Sequence, residues 1–463
     1  MRRWLSAGLI VLALVLPWVP AQAQEGEPIY IVEPNDTLSD IARRFGVSLE
    51  ALIQANHIDN PSLVQPGQEL LIPGFEGITG MLTTYGIGYG ETLASLSMRY
   101  GVDVETLVRL NRVVNPARLY VGQEVIVPRD ESNPLRVATG EAVLAREGEP
   151  LLELAVRQGL NPWLLRIENR QTDRMWLLPG SELTVPGGSS PPSGFPEPVV
   201  SIQVTPSPTV QGRTVRIEVA SAAPILVEGQ LGERTLRFHP LDEARQVALQ
   251  GMHAMAEPGL QDLELRLRAA GDGALLYAFS QPVRVVEGGY LFDPPLSVPP
   301  ETIDPAVTAP EDTLIASIVN NDSPERLWSG TFQFPSENIE VFPSVFGSRR
   351  SYNNTGYNYY HTGLDFYGST GTPILAPARG RVVFAGPLSV RGNTTLIDHG
   401  WGVFTGYLHQ SEILVSVGDM VEPGQTIGLV GATGRVTGAH LHWEVLVGGV
   451  PVDPLEWTSV EFP

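Results

Sequence analysis

Four residues in the C-terminal part of the chain have the types and spacing of a metal site. His361 is followed four residues later by Asp365, and the triplet His440-Leu441-His442 comes further along, in a chain with only eight histidines. Catalytic zinc takes three protein ligands from His and carboxylate and leaves a fourth position for water, whose pKa the metal lowers towards neutrality. His361, Asp365 and His442 are therefore predicted to bind one Zn²⁺ ion.

His440 is predicted to remain free of the metal. Successive side chains of a strand point to opposite faces, so His440 and His442 share one face. Only one of them need bind the metal, and the other can then transfer a proton. Each of the two short motifs also occurs in proteins without any metal, so either one alone is weak evidence.

The residues around and between the two motifs predict an antiparallel all-β domain. The Gly-rich and aromatic sequence around His361 and Asp365 favours a loop that leads into a strand over one face of a helix. Further on, short apolar runs are broken by Gly and Pro every several residues, as in 371–380 and 417–428. Such a pattern is typical of short strands joined by tight turns.

Residues from about Phe346 to Pro454 resemble the lysostaphin-type zinc metallopeptidases, the LytM-like peptidoglycan endopeptidases. The resemblance is carried by the His-x-x-x-Asp motif, the Tyr-x-His at 407–409, the Gly-Ala-Thr-Gly turn that ends at Gly434 and the His-Leu-His-Trp-Glu run that ends at Glu444. It implies one Zn²⁺ held by His361, Asp365 and His442, and two catalytic histidines that do not bind it, His409 and His440.

The resemblance also implies a reaction, the hydrolysis of peptide bonds in peptidoglycan cross-links or stem peptides. One of His409 and His440 is expected to take the proton of the attacking water, and the other to stabilise the oxyanion or protonate the leaving amine. The spacing does not assign these roles. Tyr407 is predicted to share the strand face of His409 and to add a hydroxyl donor, the alternative being a half-buried strand aromatic. His399 is expected to support the site without binding the metal.

The N-terminus has the features of a bacterial secretory signal peptide. Two arginines precede an apolar run, and Ala21-Gln22-Ala23 forms a small-x-small cleavage site, so residues 1–23 are predicted to be removed. The alternative is an uncleaved anchor, which Pro17 and Pro20 disfavour because they interrupt the apolar segment. The predicted location is therefore secreted or in the cell envelope, either periplasm or cell wall.

Composition excludes several classes of protein and of site. The chain of 463 residues has no Cys, so lipid-anchored cysteine, disulfides and thiolate ligands are excluded and a metal must be bound by N and O atoms. With 51 acidic and 30 basic residues the formal net charge is −21, which argues against nucleic-acid partners. No other stretch is apolar enough to span a bilayer, so no stable membrane insertion is expected after signal cleavage.

An internal repeat supplies candidate recognition sites. Residues 28–73 (copy 1) and 83–128 (copy 2) share an Asp/Glu-Thr-Leu, an aromatic-Gly-Val, an Asn-Pro and a Gly-Gln at a constant offset of 55 positions. Self-similarity of this kind is typical of a module array. Each copy is predicted to contain a strand, two helices and a strand, with Thr37 and Ser48 as helix N-caps in copy 1. Fainter similarity predicts a diverged third copy at 135–186.

The repeat resembles LysM, the module that binds N-acetylglucosamine in peptidoglycan or chitin. The resemblance implies sugar contacts from the loop before the first helix and the loop after the second. The third copy lacks the Thr-Leu pair, which puts its glycan binding in doubt. The alternative for all these residues is a role in capping helices and forming turns. The implied glycan-binding residues are Asn35, Asp36, Thr37, Leu38 and Asn60 in copy 1, and Gly90, Glu91, Thr92 and Asn115 in copy 2.

Between the repeats and the C-terminal domain the composition changes twice. Residues 187–196 are predicted to be a linker stiffened by Pro, and 291–325 a Pro-rich connector. Residues 197–290 alternate apolar and polar residues in short runs, which favours an immunoglobulin-like β-sandwich. The predicted fold is thus multi-domain, with small α+β (βααβ) LysM modules, a β-sandwich and an all-β antiparallel catalytic domain at 326–458.

Taken together, the sequence predicts a secreted zinc endopeptidase whose partner is peptidoglycan, its glycan strands and its peptide cross-links. Two alternatives come from other classes: a non-catalytic adaptor that activates another hydrolase, and a structural glycan-binding protein. The complete set of three ligands and two further histidines favours the enzyme over both.

Overall fold

The computed structural model describes residues 28–62, 64–75, 78, 80–100, 102–113, 115, 119–129, 140–146, 149–158, 165, 169, 182–186, 195, 198–321 and 323–463. The predicted signal peptide and all but Phe195 of the predicted linker lie outside the described residues. The chain divides into two compact units, residues 1–84 with 126–135, and residues 85–125 with 136–463. Among the described residues no helix is long and apolar enough to cross a bilayer.

Copy 1 consists of two short strands and two helices: β1 Ile29–Ile31, α1 Leu38–Phe45, α2 Leu49–Ala55 and β2 Glu69–Leu71. Strands β1 and β2 pair antiparallel. Thr37 and Ser48 accept hydrogen bonds from the amides of Asp40 and Ala51, so each caps a helix. Helix α1 buries one face because its apolar residues recur at helical spacing. That face consists of Leu38, Ile41, Ala42 and Phe45.

Copy 2 has the same order of elements: β3 Met81–Gly86, α3 Leu93–Tyr100, α4 Val104–Asn111 and β4 Glu124–Arg129. Asp103 caps α4 by accepting from the amide of Thr106. The predicted third copy contains β5 Gly140–Leu144, α5 Leu151–Arg157 and β6 Glu182–Pro186. Strands β5 and β6 pair antiparallel, and their buried residues Val143 and Leu183 share a small core with Leu154 of α5.

Residues 199–286, here called the two-sheet region, form nine strands in two sheets. In β14, Leu263, Leu265 and Leu267 are buried while the charged residues between them are exposed, so the alternation defines an inner face. The two inner faces share one hydrophobic cluster. The sheet orders are β11-β10-β14-β15-β8 and β12-β13-β9-β7. The strands are β7 Val199–Thr205, β8 Thr209–Val210, β9 Thr214–Ser221, β10 Ile225–Leu231, β11 Arg234–Leu236, β12 His239–Pro240, β13 Arg245–Gly251, β14 Gly259–Ala269 and β15 Leu275–Val286.

The predicted connector contains a helix, α6 Pro305–Val319, which follows a 3-10 turn at Pro300–Ile303. Asp304 caps it by accepting from the amide of Ala306, and Pro305 occupies the first turn, where a missing N–H is tolerated. Its Ile315 and Val319 are buried in a cluster with Leu396, Phe404 and Leu446 of the C-terminal region. The helix is therefore docked on the C-terminal sheet.

The C-terminal region is mostly β, as predicted. A seven-stranded sheet has the order β18-β26-β22-β21-β20-β24 with β27 paired to β26, and all of these strands pair antiparallel. A three-stranded sheet, β19-β25-β23, and the pair β16-β17 accompany it. The elements are β16 Arg349–Arg350, β17 Tyr359–Tyr360, β18 Leu364–Tyr367, β19 Pro373–Leu375, β20 Gly380–Leu388, β21 Gly392–Gly400, β22 Val403–Gln410, β23 Glu412–Ile413, β24 Met420–Val421, β25 Thr426–Leu429, β26 His440–Val447, β27 Val450–Val452 and α7 Pro454–Ser459.

The two-sheet region packs directly against the C-terminal region. Val247 and Leu249 of β13 belong to the same hydrophobic cluster as the C-terminal sheet. The indole of Trp457 donates to Thr214 Oγ1 at 3.1 Å, and the amide of Thr214 donates to a Glu456 carboxylate oxygen at 2.8 Å. These buried polar contacts join α7 to β9, so the two regions share one core.

Candidate active site

The structure brings the three predicted metal ligands together. Asp365 of β18 and His442 of β26 are directly opposite each other in the strand register, so their side chains share one face. His361 lies just after β17, where its backbone bonds to Gly347 and Ser348. Its Nε2 is 3.0 Å from Asp365 Oδ1 and 2.9 Å from His442 Nδ1, and the last two atoms are 2.9 Å apart.

This donor set fits zinc. Two imidazole nitrogens and one carboxylate oxygen, all on buried residues, converge on one point. Ligand atoms that bind zinc at about 2.0–2.2 Å lie roughly 3.3 Å from one another in tetrahedral geometry. The observed separations of 2.9–3.0 Å are close to that value, so His361, Asp365 and His442 could hold one ion with little movement.

Each candidate ligand histidine is held by a second contact that sets its tautomer. His361 Nδ1 is 3.0 Å from Val345 O, which can only accept, so Nδ1 carries the proton and Nε2 presents a lone pair. His442 Nε2 is 3.2 Å from a Glu444 carboxylate oxygen and donates to it, which leaves Nδ1 to face the site. Glu444, two residues beyond His442 on the same face, was not predicted as a site residue from the sequence.

The pKa values of these groups follow from burial and from their neighbours. Burial lowers the pKa of His361 to about 4, so this candidate ligand is neutral. Burial alone would lower the pKa of His442, but hydrogen bonds to Asp365 and Glu444 raise it to about 9, so a metal at Nδ1 would displace a proton. Burial would raise the pKa of Glu444, yet its hydrogen bond and charge interaction with His442 lower it to about 2.

Gly363, between His361 and Asp365, is required by close packing. A Cβ at this position would lie 2.3 Å from the carbonyl oxygen of Trp443 and 2.8 Å from His442 Nε2. The chain between His361 and Asp365 therefore runs against the ring of His442. In the sequence, the glycine of the His-x-Gly-x-Asp motif is the residue that indicates this close contact.

His409 and His440 lie beside the candidate metal ligands with their rings 5.1 Å apart. His440 Nε2 is 3.8 Å from Asp365 Oδ1, and the His409 ring is 6.0 Å from that of His442. Both Nδ1 atoms face carbonyl oxygens, His409 that of Thr433 at 2.8 Å and His440 that of Gly438 at 2.9 Å. Both Nδ1 atoms therefore donate, and both Nε2 atoms present a lone pair.

His409 reaches the site because its backbone breaks the strand alternation. Leu408 is opposite His442, so regular alternation would turn His409 to the other face. Instead His409 has φ +63°, next to a register irregularity in the pairing of β21 with β22. Gly431 packs against this bend, since a Cβ there would lie 2.7 Å from the His409 carbonyl oxygen. Burial lowers the pKa of His409 to about 3.

Tyr407 does not belong to the site. It is opposite Trp443, fully buried in the core, and its hydroxyl is 2.8 Å from Thr405 Oγ1. The prediction that it shares a face with His409 is wrong, because the bend at His409 separates the two side chains. The expectation that His399 supports the site is also wrong: its Nε2 bonds to Thr405 Oγ1 and its Nδ1 faces the Arg379 carbonyl, on the core side of the sheet.

Among the predicted glycan-binding residues of copy 1, Asn35, Thr37 and Asn60 are exposed. Asp36 is half-buried and accepts hydrogen bonds from Tyr30 and Arg44, which gives it a structural role. Leu38 is buried in the core of copy 1, which contradicts the sugar contact predicted for it.

In copy 2 the equivalent residues are more enclosed. Gly90 is buried, which contradicts its predicted sugar contact. Glu91 accepts from the Tyr85 hydroxyl and pairs with Arg99 at 2.6 Å, and Thr92 bonds to the amide of Ser95. Asn115 is exposed.

Residues 359–454 match peptidase family M23. Residues 30–73 and 85–128 match the LysM domain. The resemblances predicted from the sequence are thereby confirmed for these segments. The M23 segment contains all three candidate metal ligands, both His409 and His440, and Glu444.

Curated relatives share only part of their length with this chain. The peptidoglycan DD-endopeptidase ShyA of Vibrio cholerae is 40% identical over 137 residues, which are 30% of this chain and 31% of ShyA. The DD-carboxypeptidase/endopeptidase Mpg of Neisseria meningitidis is 44% identical over 103 residues, 22% of this chain and 23% of Mpg. The similarity thus spans less than a third of these relatives.

Two solved structures are similar to this chain over most of their own length. A Pseudomonas aeruginosa structure described as a peptidase M23 is 26% identical, with a TM-score of 0.42, and covers 55% of this chain and 95% of that one. A zinc-containing peptidase from Vibrio cholerae is 18% identical, with a TM-score of 0.28, and covers 94% of this chain and 99% of that one.

Proposed function

We propose that this chain is a zinc-dependent endopeptidase that hydrolyses peptide bonds of peptidoglycan outside the cytoplasm. The observation that carries the proposal is the convergence of His361, Asp365 and His442 beside two further histidines, His409 and His440, whose Nε2 atoms are free. The match to M23 and the similarity to the DD-endopeptidases ShyA and Mpg support a D,D-peptide cross-link as the bond that is cut.

The residues of the chain divide into those that hold the metal and those that move protons. When bound, zinc supplies Lewis-acid polarisation of the scissile carbonyl and lowers the pKa of water. Val345 O and Glu444 fix the rings of His361 and His442, so the ligands are held in place before the metal binds. His409 and His440 then take the two proton-transfer roles, one accepting the proton of the attacking water and the other protonating the leaving amine or stabilising the oxyanion.

The remaining predictions concern targeting and architecture. We infer that the LysM segments are βααβ modules that bind N-acetylglucosamine in the glycan strand, and that the two-sheet region is an immunoglobulin-like β-sandwich. The predicted signal peptide leads to secretion or to the cell envelope, where this substrate is found. Binding to the glycan raises the local concentration of cross-links at the active site.

A non-catalytic adaptor is the second candidate, and the complete site disfavours it. An adaptor needs neither three converging ligands nor two histidines with free Nε2 atoms. The placement of His409 does not follow from the packing of a sheet, because this residue requires an unfavourable backbone conformation to reach the site.

The test separates metal binding from proton transfer. Purified wild type, His442→Ala and His440→Ala are incubated with peptidoglycan, the released peptides are identified by mass spectrometry, and bound zinc is measured by elemental analysis. We expect His442→Ala to lose zinc and activity, and His440→Ala to keep zinc but lose activity by about 10²–10⁴-fold. His57→Ala, at an exposed position of copy 1, is the control. Cleavage that survives both a chelator and His440→Ala would refute the proposal.

A further inference from the structure

The two-sheet region binds copy 2 at the two places where glycan contacts are implied, Gly90–Leu93 and Asn115–Leu119. The described residues of these contacts are 88–92 (the first loop) and 119–123 (the second loop), which begins at Leu119, whose carbonyl oxygen accepts from Gln281 Nε2 at 3.5 Å. In the first loop, the amide of Gly90 donates to Gln281 Oε1 at 2.6 Å. In the second loop, the amide of Val121 donates to the Pro282 carbonyl at 3.0 Å, and the Val121 carbonyl accepts from Ser207 Oγ at 3.0 Å. Both loops are thus bound to β15 and the turn before β8.

Tyr89 of the first loop anchors this contact. Its side chain is 2% exposed, and its hydroxyl donates to the Phe279 carbonyl at 2.7 Å. Its ring makes an edge contact with that of Phe279, centroid to centroid 5.7 Å. Tyr89 and Val121 belong to the same hydrophobic cluster as the core of the two-sheet region. Burial of an aromatic ring and an aliphatic side chain stabilises the contact.

The contact leaves no room for a ligand beside the first loop. A Cβ on Gly90 would lie 2.8 Å from the ring of Phe195 and 2.9 Å from the hydroxyl of Tyr277. A sugar ring is far larger than a methyl group, so it cannot occupy this place without separating the loop from β15.

Copy 1 provides an internal comparison at the same positions. At the constant offset of 55, Pro34 stands where copy 2 has Tyr89, and Pro66 where it has Val121. Both prolines are exposed, as are Asn35 and Asn60 in the corresponding loops. The sequence difference therefore matches the difference in exposure. Tyr89 and Val121 stand where the loops are covered, and prolines stand where the loops face solvent.

We propose that copy 2 uses its two loops to bind the two-sheet region and that, of these two copies, copy 1 binds the N-acetylglucosamine strand. The inference rests on the glycan binding in the proposed function and makes it specific. The same surface is thus an intramolecular interface in copy 2 and open to solvent in copy 1. Copy 2 is then a structural part of the enzyme, while copy 1 provides the attachment to the wall.

Hydrogen–deuterium exchange on the full chain, with and without N-acetylglucosamine tetramer, tests this directly. Without sugar, we expect the amides of Gly90 and Val121 to exchange slowly because both are hydrogen-bonded to the two-sheet region. With sugar, new protection is expected at 33–38 and 59–62 and not in the first or second loop of copy 2. New protection in those two loops would overturn the inference while leaving the peptidase untouched.

Matched variants of the full chain give a second measurement. Asn60 and Asn115 are equivalent, exposed asparagines of the two copies. We expect Asn60→Ala to weaken tetramer affinity by about three- to tenfold, the usual effect of losing one hydrogen bond, and Asn115→Ala to leave it unchanged. The reverse order would overturn the inference. If neither copy responds to the sugar, the glycan-binding part of the proposed function is wrong and the inference falls with it, whereas peptidoglycan cleavage by the wild type still reports separately on the zinc site.

Discussion

His409 shows where residue-level prediction succeeds and where it stops. Residue type and spacing predict His361, Asp365 and His442 as candidate metal ligands, because few combinations of His and Asp suit zinc, whereas His409 is implied only by the family resemblance. The face on which a side chain lies cannot be predicted in this way, because it depends on the local backbone. Alternation predicts that Tyr407 accompanies His409, but the left-handed backbone of His409 places the two on opposite faces. No sequence periodicity reports a single bend of this kind.

The conformation of His409 predicts an unusual order of stability. An L-residue with φ +63° is strained by roughly 1–2 kcal/mol, and glycine is not. We expect His409→Gly to be more stable than His409→Ala by up to about 1 kcal/mol in chemical unfolding, although both lose activity. Leu226, an exposed residue of β10 in regular antiparallel register with β14, is the control, and there alanine should be the more stable replacement. An alanine variant of His409 as stable as the glycine variant would contradict this account.

Substitution of Gly363 is expected to weaken metal binding although it removes no candidate ligand. An added methyl group meets the Trp443 carbonyl, which belongs to a central strand and cannot move, so the His361–Asp365 segment must shift. We expect Gly363→Ala to weaken zinc affinity by about 10–100-fold, the range for supports of metal ligands, measured by competition with a chelating dye. Gly271→Ala is the control, because no atom lies within 4 Å of a Cβ there. Unchanged zinc affinity in Gly363→Ala would show that the segment adapts.

At the scale of elements, most strands follow from the sequence but helix α6 does not. Short apolar runs that are interrupted by Gly and Pro suffice to predict a β-rich C-terminal region. The Pro-rich composition of 291–325 instead predicts an extended connector, although Pro305 occupies a helix start and Pro310 lies within α6. The helix is stabilised by docking, since Ile315 and Val319 pack on the C-terminal sheet. Contacts between residues so far apart in the sequence cannot be predicted from local composition.

Helix α6 also positions His409, which leads to a prediction for Glu311. The buried carboxylate of Glu311 accepts from the amides of Val390 and Arg391 and pairs with the Arg391 side chain, while the Arg391 carbonyl accepts from the amide of His409. Glu311→Ala leaves buried donors unpaired, so we expect a loss of about 2–4 kcal/mol in unfolding free energy and a lower kcat with little change in KM.

The neighbouring acid gives the control for Glu311. Asp312 pairs with the same arginine, but its side chain is 62% exposed, so Asp312→Asn should change stability by less than about 1 kcal/mol. Equal effects of the two variants would mean that general charge around Arg391, and not the buried carboxylate, holds this loop.

At the scale of the whole molecule, the repeat and the domain boundaries set the limits of sequence reasoning. A constant offset predicts two equivalent modules, yet Tyr89 is buried by residues about 190 positions away. The regions predicted at 197–290 and 326–458 share a core through Val247, Leu249 and Trp457. Pattern within a segment predicts the segment, whereas contacts between segments depend on the shapes of both.

The shared core makes stability depend on pH through His399. Its imidazole is fully buried, bonded to Thr405 Oγ1 and the Arg379 carbonyl, and packed on the Phe332 ring. Burial lowers the pKa of His399 to about 4 from 6.5. Between these values the unfolded chain binds a proton that the folded chain does not, so stability falls as the pH falls from about 6.5 to 4, by up to about 3 kcal/mol.

Comparison with a variant isolates this residue from the carboxylates, which also titrate in acid. We expect His399→Gln to be less stable than wild type at pH 7, because the buried contacts of the ring are lost. The difference should shrink by up to about 3 kcal/mol between pH 7 and pH 4, since glutamine binds no proton and only the wild type incurs the cost. Urea unfolding at a series of pH values measures it, and the carboxylates cancel in the difference. Parallel curves for the two proteins would mean that His399 is protonated in the folded chain, which its two hydrogen bonds and full burial oppose.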